Sequence, residues 1–359
     1  NDASLLLPEN VLGDDYVILS WTTSPIGLFP IPGFPSDSQN GYFTVVATVD
    51  NTDVSFQVSA DVKANGDIPA LKPGQIHTVT LDRGQVLNIE ADPTGIFDPM
   101  DLSGSRVWAN HPIAVFAGHE EAVVGPKDPP LDSEGQPISG CCADHLEEQL
   151  LPTNLLGNSY TAVKSKPRGS DIDVWRIQAA DVSVTVNTDP PQKTVDGDAV
   201  TGLTLAQKGS WIEIQTAESF QVTSDKPIQV MQYLVSQAYT DEFTGDPSLI
   251  GLVPTNAFRS FYALSVPPLA GNFLEPAFGK NYLTIVKQST DPVLIDGVAV
   301  AEGEFQGFGG AGWRRAYVSL TVGIHTAEST APFGLTAYGF NGAVSYGYSG
   351  GMQISTIPE

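Results

Sequence analysis

The run Gly347 to Gly351 reads Gly-Tyr-Ser-Gly-Gly, a formal match to the elbow that lifts a nucleophilic serine out of a strand-to-helix turn. Hydrolases of that fold place Asp and His after the serine, and no histidine follows Ser349, so this serine is read as part of a glycine-rich terminal turn. His119, Cys141, Cys142, His145 and Glu148 form the densest set of residue types that could ligate zinc or act as a Cys-His nucleophile. Structural zinc motifs separate paired cysteines by roughly two to four residues, because adjacent thiolates rarely reach one tetrahedral ion. The set is therefore expected to be structural, its histidines bonded to backbone carbonyls. Cys141 and Cys142 are the only cysteines and can form at most a strained vicinal disulfide, which cannot staple the fold. His77, His111 and His325 stand singly in strand-like settings and are read as structural.

Acidic turns raise the question of calcium, a hard cation that takes roughly six to eight oxygen ligands. Asp50 with Asp53, Asp171 with Asp173 and Asp196 with Asp198 all lack EF-hand spacing. Asp and Asn populate turns anyway, because their side chains bond nearby backbone groups. The strongest candidate for Ca²⁺ is the loop carrying Asp241, Glu242 and Asp246, the only cofactor the sequence suggests. For recognition of a glycan or protein the usual apparatus is aromatic side chains on loops. Phe29 and Phe34, with Ile26, Leu28 and Tyr42, surround a Pro-rich segment from Ser24 to Ser38 that is too apolar for an ordinary solvent loop, so it either packs across the sandwich or presents an exposed adhesive patch. A second candidate is the glycine-rich stretch from Phe305 to Arg315, where Trp313 precedes Arg314 and Arg315 in a very acidic chain.

The elements that position these residues are strands. The chain has 359 residues, 41% hydrophobic and 16% charged, enough to bury a sizeable core. Forty-one acidic residues against 17 Lys and Arg give a formal charge of −24, which argues against nucleic acid, since phosphate binding needs clustered cations. No apolar run is long enough to span a membrane. The start at Asn1 and the Thr356-Ile357-Pro358 ending suit a mature or excised fragment. The lack of an Asn-x-Ser/Thr sequon suits a bacterial exported protein over a glycosylated eukaryotic one.

An internal repeat organises the chain. LPENVLGDDY begins at Leu7, LPTNLLGNSY at Leu151 and VPTNAFRSFY at Val253, each ending in a tyrosine: Tyr16, Tyr160 and Tyr262. An alternating hairpin follows each opening, from Phe43, Val174 and Leu283, and then a second hairpin around Gly84, Gly209 and Gly323. Each copy closes on a proline, Pro112, Pro227 or Pro332, expected at the first residue of a strand, where it costs no ladder bond. The expected fold class is all-β: three divergent tandem repeats, each a small antiparallel β-sandwich, set as beads or as one pseudo-threefold body. The expected division is 1–120 for the first repeat with its Pro-rich insert, 121–150 for a connector loop, 151–240 and 241–351 for the second and third repeats, and 352–359 for a terminal linker. Ala143 to Leu151 is the best helix candidate, a turn within the connector.

At this level the chain resembles the N-terminal domain family of IgG Fc-binding protein. The resemblance rests on SGSRVWANHPIAVFAGH from Ser103, CCADHLEEQLLPTNLLGNSY from Cys141, GDPSLIGLVP from Gly245, and GIHTAESTAPFGLTAYGF with SYGYSGG near the end. It spans roughly Leu7 to Gly351. In the animal member a Cys follows the Gly-His pair and pairs with a later one; here Glu120 to Val124 follow Gly118 and His119, so the pairing becomes vicinal at best. The resemblance implies extracellular interaction, adhesion to a glycan or protein, with no catalytic set to carry over. The expectation is a secreted or cell-surface, non-catalytic binding module. Its rivals are a structural spacer that self-associates, and a glycoside hydrolase built on two carboxylates.

Overall fold

Alternation of apolar and polar residues folds this chain into antiparallel pairs throughout, with only short 3₁₀ turns as helical structure among the described residues. The computed structural model describes residues 3–23, 39–93, 100–131, 133–135, 142–267 and 279–354. The first stretch supplies β1 (Asp15–Val17), β2 (Gly41–Ala47), β3 (Thr52–Gln57), β4 (Ile76–Leu81), β5 (Val86–Glu90), β6 (Arg106–Ala109), β7 (Ile113–Ala122) and β8 (Asp144–Gln149). They form two sheets, β1-β6-β3-β4 and β5-β2-β7-β8. The second stretch supplies β9 (Gly157–Ala162), β10 (Asp173–Ala179), β11 (Val184–Asp189), β12 (Thr201–Leu205), β13 (Trp211–Thr216), β14 (Phe220–Leu234) and β15 (Ser248–Gly251). Its neighbours run β9-β14-β11-β12 and β13-β10-β14-β15. The third supplies β16 (Arg259–Val266), β17 (Lys280–Lys287), β18 (Leu294–Ile295), β19 (Val298–Ala299), β20 (Gln306–Phe308), β21 (Trp313–Leu320), β22 (Gly323–Asn341) and β23 (Val344–Ser349). These pair as β16-β22-β18-β19 and β20-β21-β17-β22-β23.

The pairing order is the same in each stretch apart from β20, which the third adds beside β21, and one brace recurs in all three. The opening proline leads into a 3₁₀ turn (Glu9–Val11, Thr153–Leu155 and Thr255–Ala257). The tyrosine that follows donates its hydroxyl to the backbone just past the closing proline: Tyr16 to Ile113 O at 2.6 Å, Tyr160 to Ile228 O at 2.7 Å, Tyr262 to Phe333 O at 2.5 Å. The same hydroxyls accept from Gly13, Gly157 and Arg259 N–H. Buried this way, the hydroxyl would be costly without both partners, so the phrase fixes where each first strand lies.

Four expectations need correction. Residues 144–149 form no helix: Leu146 and Leu150 fit a helical spacing, but the open edge of β7 takes this segment as β8, with Phe116 opposite Gln149. Of the expected connector, residues 144–149 thus belong to the first unit's sheet, and β15, assigned to the third repeat, completes the second by pairing with β14. Pro227 and Pro332 lie inside β14 and β22, where one long strand crosses from sheet to sheet; only Pro112 precedes its strand, because β6 and β7 are separate. The turn before β21 is the Gly309–Gly312 region, both glycines at positive φ, whereas Gly323 joins β21 to β22.

The units are not beads. The first core cluster takes in Val174, Met231, Tyr233 and Leu249 of the second unit, and the second takes in Tyr338 and Phe340 of the third. Successive junctions are alike: a Cβ on Gly13 would stand 2.5 Å from Pro152 Cβ, and one on Gly157 would stand 2.4 Å from Pro254 Cβ. Only glycine permits that approach. β15 sits between its counterparts, with Gly251 N donating to Glu148 Oε2 (3.1 Å) and Gly251 O accepting from Ser349 Oγ (2.6 Å).

Candidate functional site

Ser349, at the end of β23, is buried and gives its hydroxyl to Gly251 O, so it joins two strands and faces no base. The His/Cys/Glu set is dispersed among separate tasks. His119 is fully buried on β7, Nδ1 accepts from Glu121 N (3.1 Å), and burial pulls its pKa down to about 4. His145 is half-exposed and bonds the Tyr42 hydroxyl at 3.1 Å; the Glu147 carboxylate holds its pKa up. Glu148 accepts from Ser4 Oγ and Gly251 N. Cys142 is disulfide-bonded, while Cys141 lies outside the described residues. His325 is held between Asp296 (2.7 Å) and Thr321 O (2.8 Å).

The acidic loop is committed to structure. Asp241 receives Ser170 N and Oγ, and Glu242 pairs with Lys280. Asp246 is 2% exposed, and its Oδ1 meets no hydrogen-bond donor. Burial, and then the neighbouring Asp144 carboxyl, push its pKa up to about 9. Asp144 heads β8 as Asp246 precedes β15, so one position in two successive units supplies both carboxyls. A raised carboxyl is what a glycosidase acid needs, yet neither aspartate lines any of the grooves described below. Among the described residues no group of three or more His, Cys, Asp or Glu is placed to hold a metal ion. Asp171 and Asp173 are buried with Lys164 and Arg168 in an ion network between the second and third units.

Trp313 is not displayed on a loop. It is 7% exposed at the start of β21, edge-on to Phe258 at 6.0 Å, with Val163 and Val286 beside it. Arg314 pairs with Glu302 and donates to Ser289 O (2.6 Å); Arg315 lies 4.7 Å over the Tyr317 ring. The glycines serve contact: Gly310 N donates to Asp189 Oδ2 at 2.6 Å, and a Cβ on Gly309 would meet Asp189 O at 2.7 Å. Sequence reasoning took a hairpin that clamps the third unit onto the second for a display loop. Phe29 and Phe34 lie outside the described residues.

A cleft of about 570 Å³ opens on the second unit, where Pro126–Asp128 crosses Gln192–Val195 and Gln215. Lys127 N donates to Gln215 Oε1 (2.8 Å), and its ammonium reaches Asp196 (2.7 Å), which raises its pKa. Lys193 on the same cleft is exposed and makes no ion pair among the described residues. Ile172, Pro191 and Val195 give it apolar wall. Ammonium groups, the Asp128 carboxylate and amides against apolar wall suit a polar ligand. The sequence carries no signal of this cleft, because Lys127 and Lys193 stand far apart in the chain and only the fold brings both to one lining.

A family profile described as IgGFc binding protein matches residues 2–339. The human protein named IgGFc-binding protein is 28% identical over 354 residues, covering 96% of this chain and 6% of that protein. The chain thus spans a small part of the relative's length. No solved structure matches it. No helix among the described residues is long and apolar enough to cross a membrane.

Proposed function

Because this chain belongs to the IgGFc-binding protein family, we propose that it is a secreted or surface-displayed binding module that grips a glycoprotein without transforming it. The observation that carries this reading is the lining of the cleft on the second unit. Gln192 and Gln215 are held by bonds to Pro190 O, Glu218, Glu213 and Lys127 N and shape the wall, while Lys193, exposed and without an ion pair among the described residues, would draw an acidic sugar toward a surface that otherwise repels anions. The human relative is named for binding IgG Fc, itself a glycoprotein surface, so Fc belongs in the test as one ligand among several.

The experiment is an array of glycans and mucin-type glycoproteins with immunoglobulin Fc, probed with the purified chain in calcium and in EDTA. Lys193→Glu should weaken the strongest interaction by about tenfold, roughly the worth of one well-placed charged contact. Loss of binding in EDTA would show that a divalent cation takes part in the interaction without placing it on the Asp241 to Asp246 loop, whose carboxyls are engaged or buried. Absence of binding throughout would transfer weight to a structural spacer, which the rigid, glycine-closed junctions also suit.

A further inference from the structure

The strand that begins after the second hairpin of each unit (β5, β13 and β21) has its outer edge filled in two units and, among the described residues, open in the third. Ile89, Ile214 and Val318 are equivalent, since they pair with Phe43, Trp175 and Leu283 at one position of the second strand. In the first unit an excursion between β3 and β4 lies along this edge: Lys63 N donates to Glu90 O (3.1 Å), Asp92 N donates to Asp61 O (2.8 Å), and Val62 bridges Ala91. In the second, Val195 N donates to Glu213 O (2.9 Å), and Lys127 N reaches the Gln215 side chain. In the third unit the corresponding connection is the tight Asp296–Gly297 turn between β18 and β19, too short to reach. β20 covers β21 only as far as Arg315, so beyond Ala316 no strand pairs with that edge among the described residues.

The exposure agrees. Ile89 and Ile214 are 1% and 0% exposed, whereas Val318 is only partly buried and Val298 beside it is 71% exposed. A groove of about 370 Å³ is left, walled by Ile295, Val298, Val300 and Val318, with the outward-facing edge at Tyr317 and Ser319 as its floor and Glu304 on its rim. Unpaired backbone beside apolar wall is a template for one more strand.

We infer that this edge of β21 docks an extended polypeptide strand of a partner protein that carries a β-branched residue and a lysine or arginine. The occupant's chemistry follows from the segments that fill the equivalent edges, Val62 with Lys63 and Val195 with Lys127, and from complementarity to a chain of charge −24. The inference rests on the binding-module reading and adds a polypeptide subsite to it.

A displayed library of random linear peptides, panned against the whole chain, tests it. Recovered peptides, resynthesised, should share a β-branched residue with a cation, and should slow amide exchange at Tyr317 to Ser319. Ser319→Pro removes an N–H that faces the open side, and Val298→Lys puts charge on an exposed wall; each should weaken binding by about tenfold or more. Binding untouched by both variants overturns the inference, as does a panning that recovers nothing. If glycoproteins still bind in that case, the earlier reading stands alone; if they do not, both fall. A concentration-dependent dimer abolished by Ser319→Pro would make the occupant a second copy and overturn the partner assignment.

Discussion

Asp246 shows how far a single residue can be read. The sequence marks it as a carboxylate in an acidic loop before a proline, hence a calcium candidate. The fold buries it against Asp144, a residue far away in the chain, and raises its pKa from 3.8 to about 9. A raised carboxyl keeps its proton in the folded state after the unfolded chain has lost it. Its contribution is therefore fully present below about pH 4 and declines as pH rises toward about 9. Asp246→Asn, which carries a donor without a charge, should be more stable than the parent by roughly 1–3 kcal/mol near pH 8, with the advantage shrinking toward pH 4. Denaturant unfolding across that range checks this, and a gap independent of pH would contradict it. His119 and Trp313 were likewise visible only as types; burial decided their roles.

Among the elements, the opening phrase was the most legible. Its proline, asparagine and tyrosine recur because a 3₁₀ turn and a tyrosine-to-carbonyl brace are built from local residues plus one carbonyl beyond the closing proline. The glycine in the phrase was legible as a letter and not as a function, since its neighbour is the proline of the next unit. Gly157→Ala would set a methyl against Pro254 Cβ, and overpacking there should cost about 1–3 kcal/mol in chemical denaturation. Arg259 stands at the equivalent place in the third unit, and its replacement by Ala should cost under about 0.5 kcal/mol, as expected of an exposed side chain. Strand β8 was misread because a short edge segment with Leu146 and Leu150 satisfies both periods; pairing with β7 chose between them.

At the scale of the molecule, the core clusters run from one stretch of strands into the next. Arg176 of the second unit makes this concrete: its guanidinium lies 4.3 Å over Trp21 and 4.4 Å over Trp211, and pairs with Asp101 of the first unit and Glu213 of its own. With such groups buried across a junction, neither unit keeps a satisfied surface alone. Thermal and denaturant unfolding followed by tryptophan fluorescence and by far-ultraviolet circular dichroism should therefore give coincident transitions; separate transitions would mean that the units melt independently. The sequence by itself determined the all-β class, the threefold recurrence of the opening phrase and the family resemblance, because alternation, turn residues and repeated local phrases act within a few residues of one another. Only the tertiary structure decided which strand closes which sheet, which carboxyls meet, that Trp313 is buried, and that among the described residues one edge of β21 is left open. Each of those depends on contacts between residues far apart in the chain, where burial and close approach outweigh local preference.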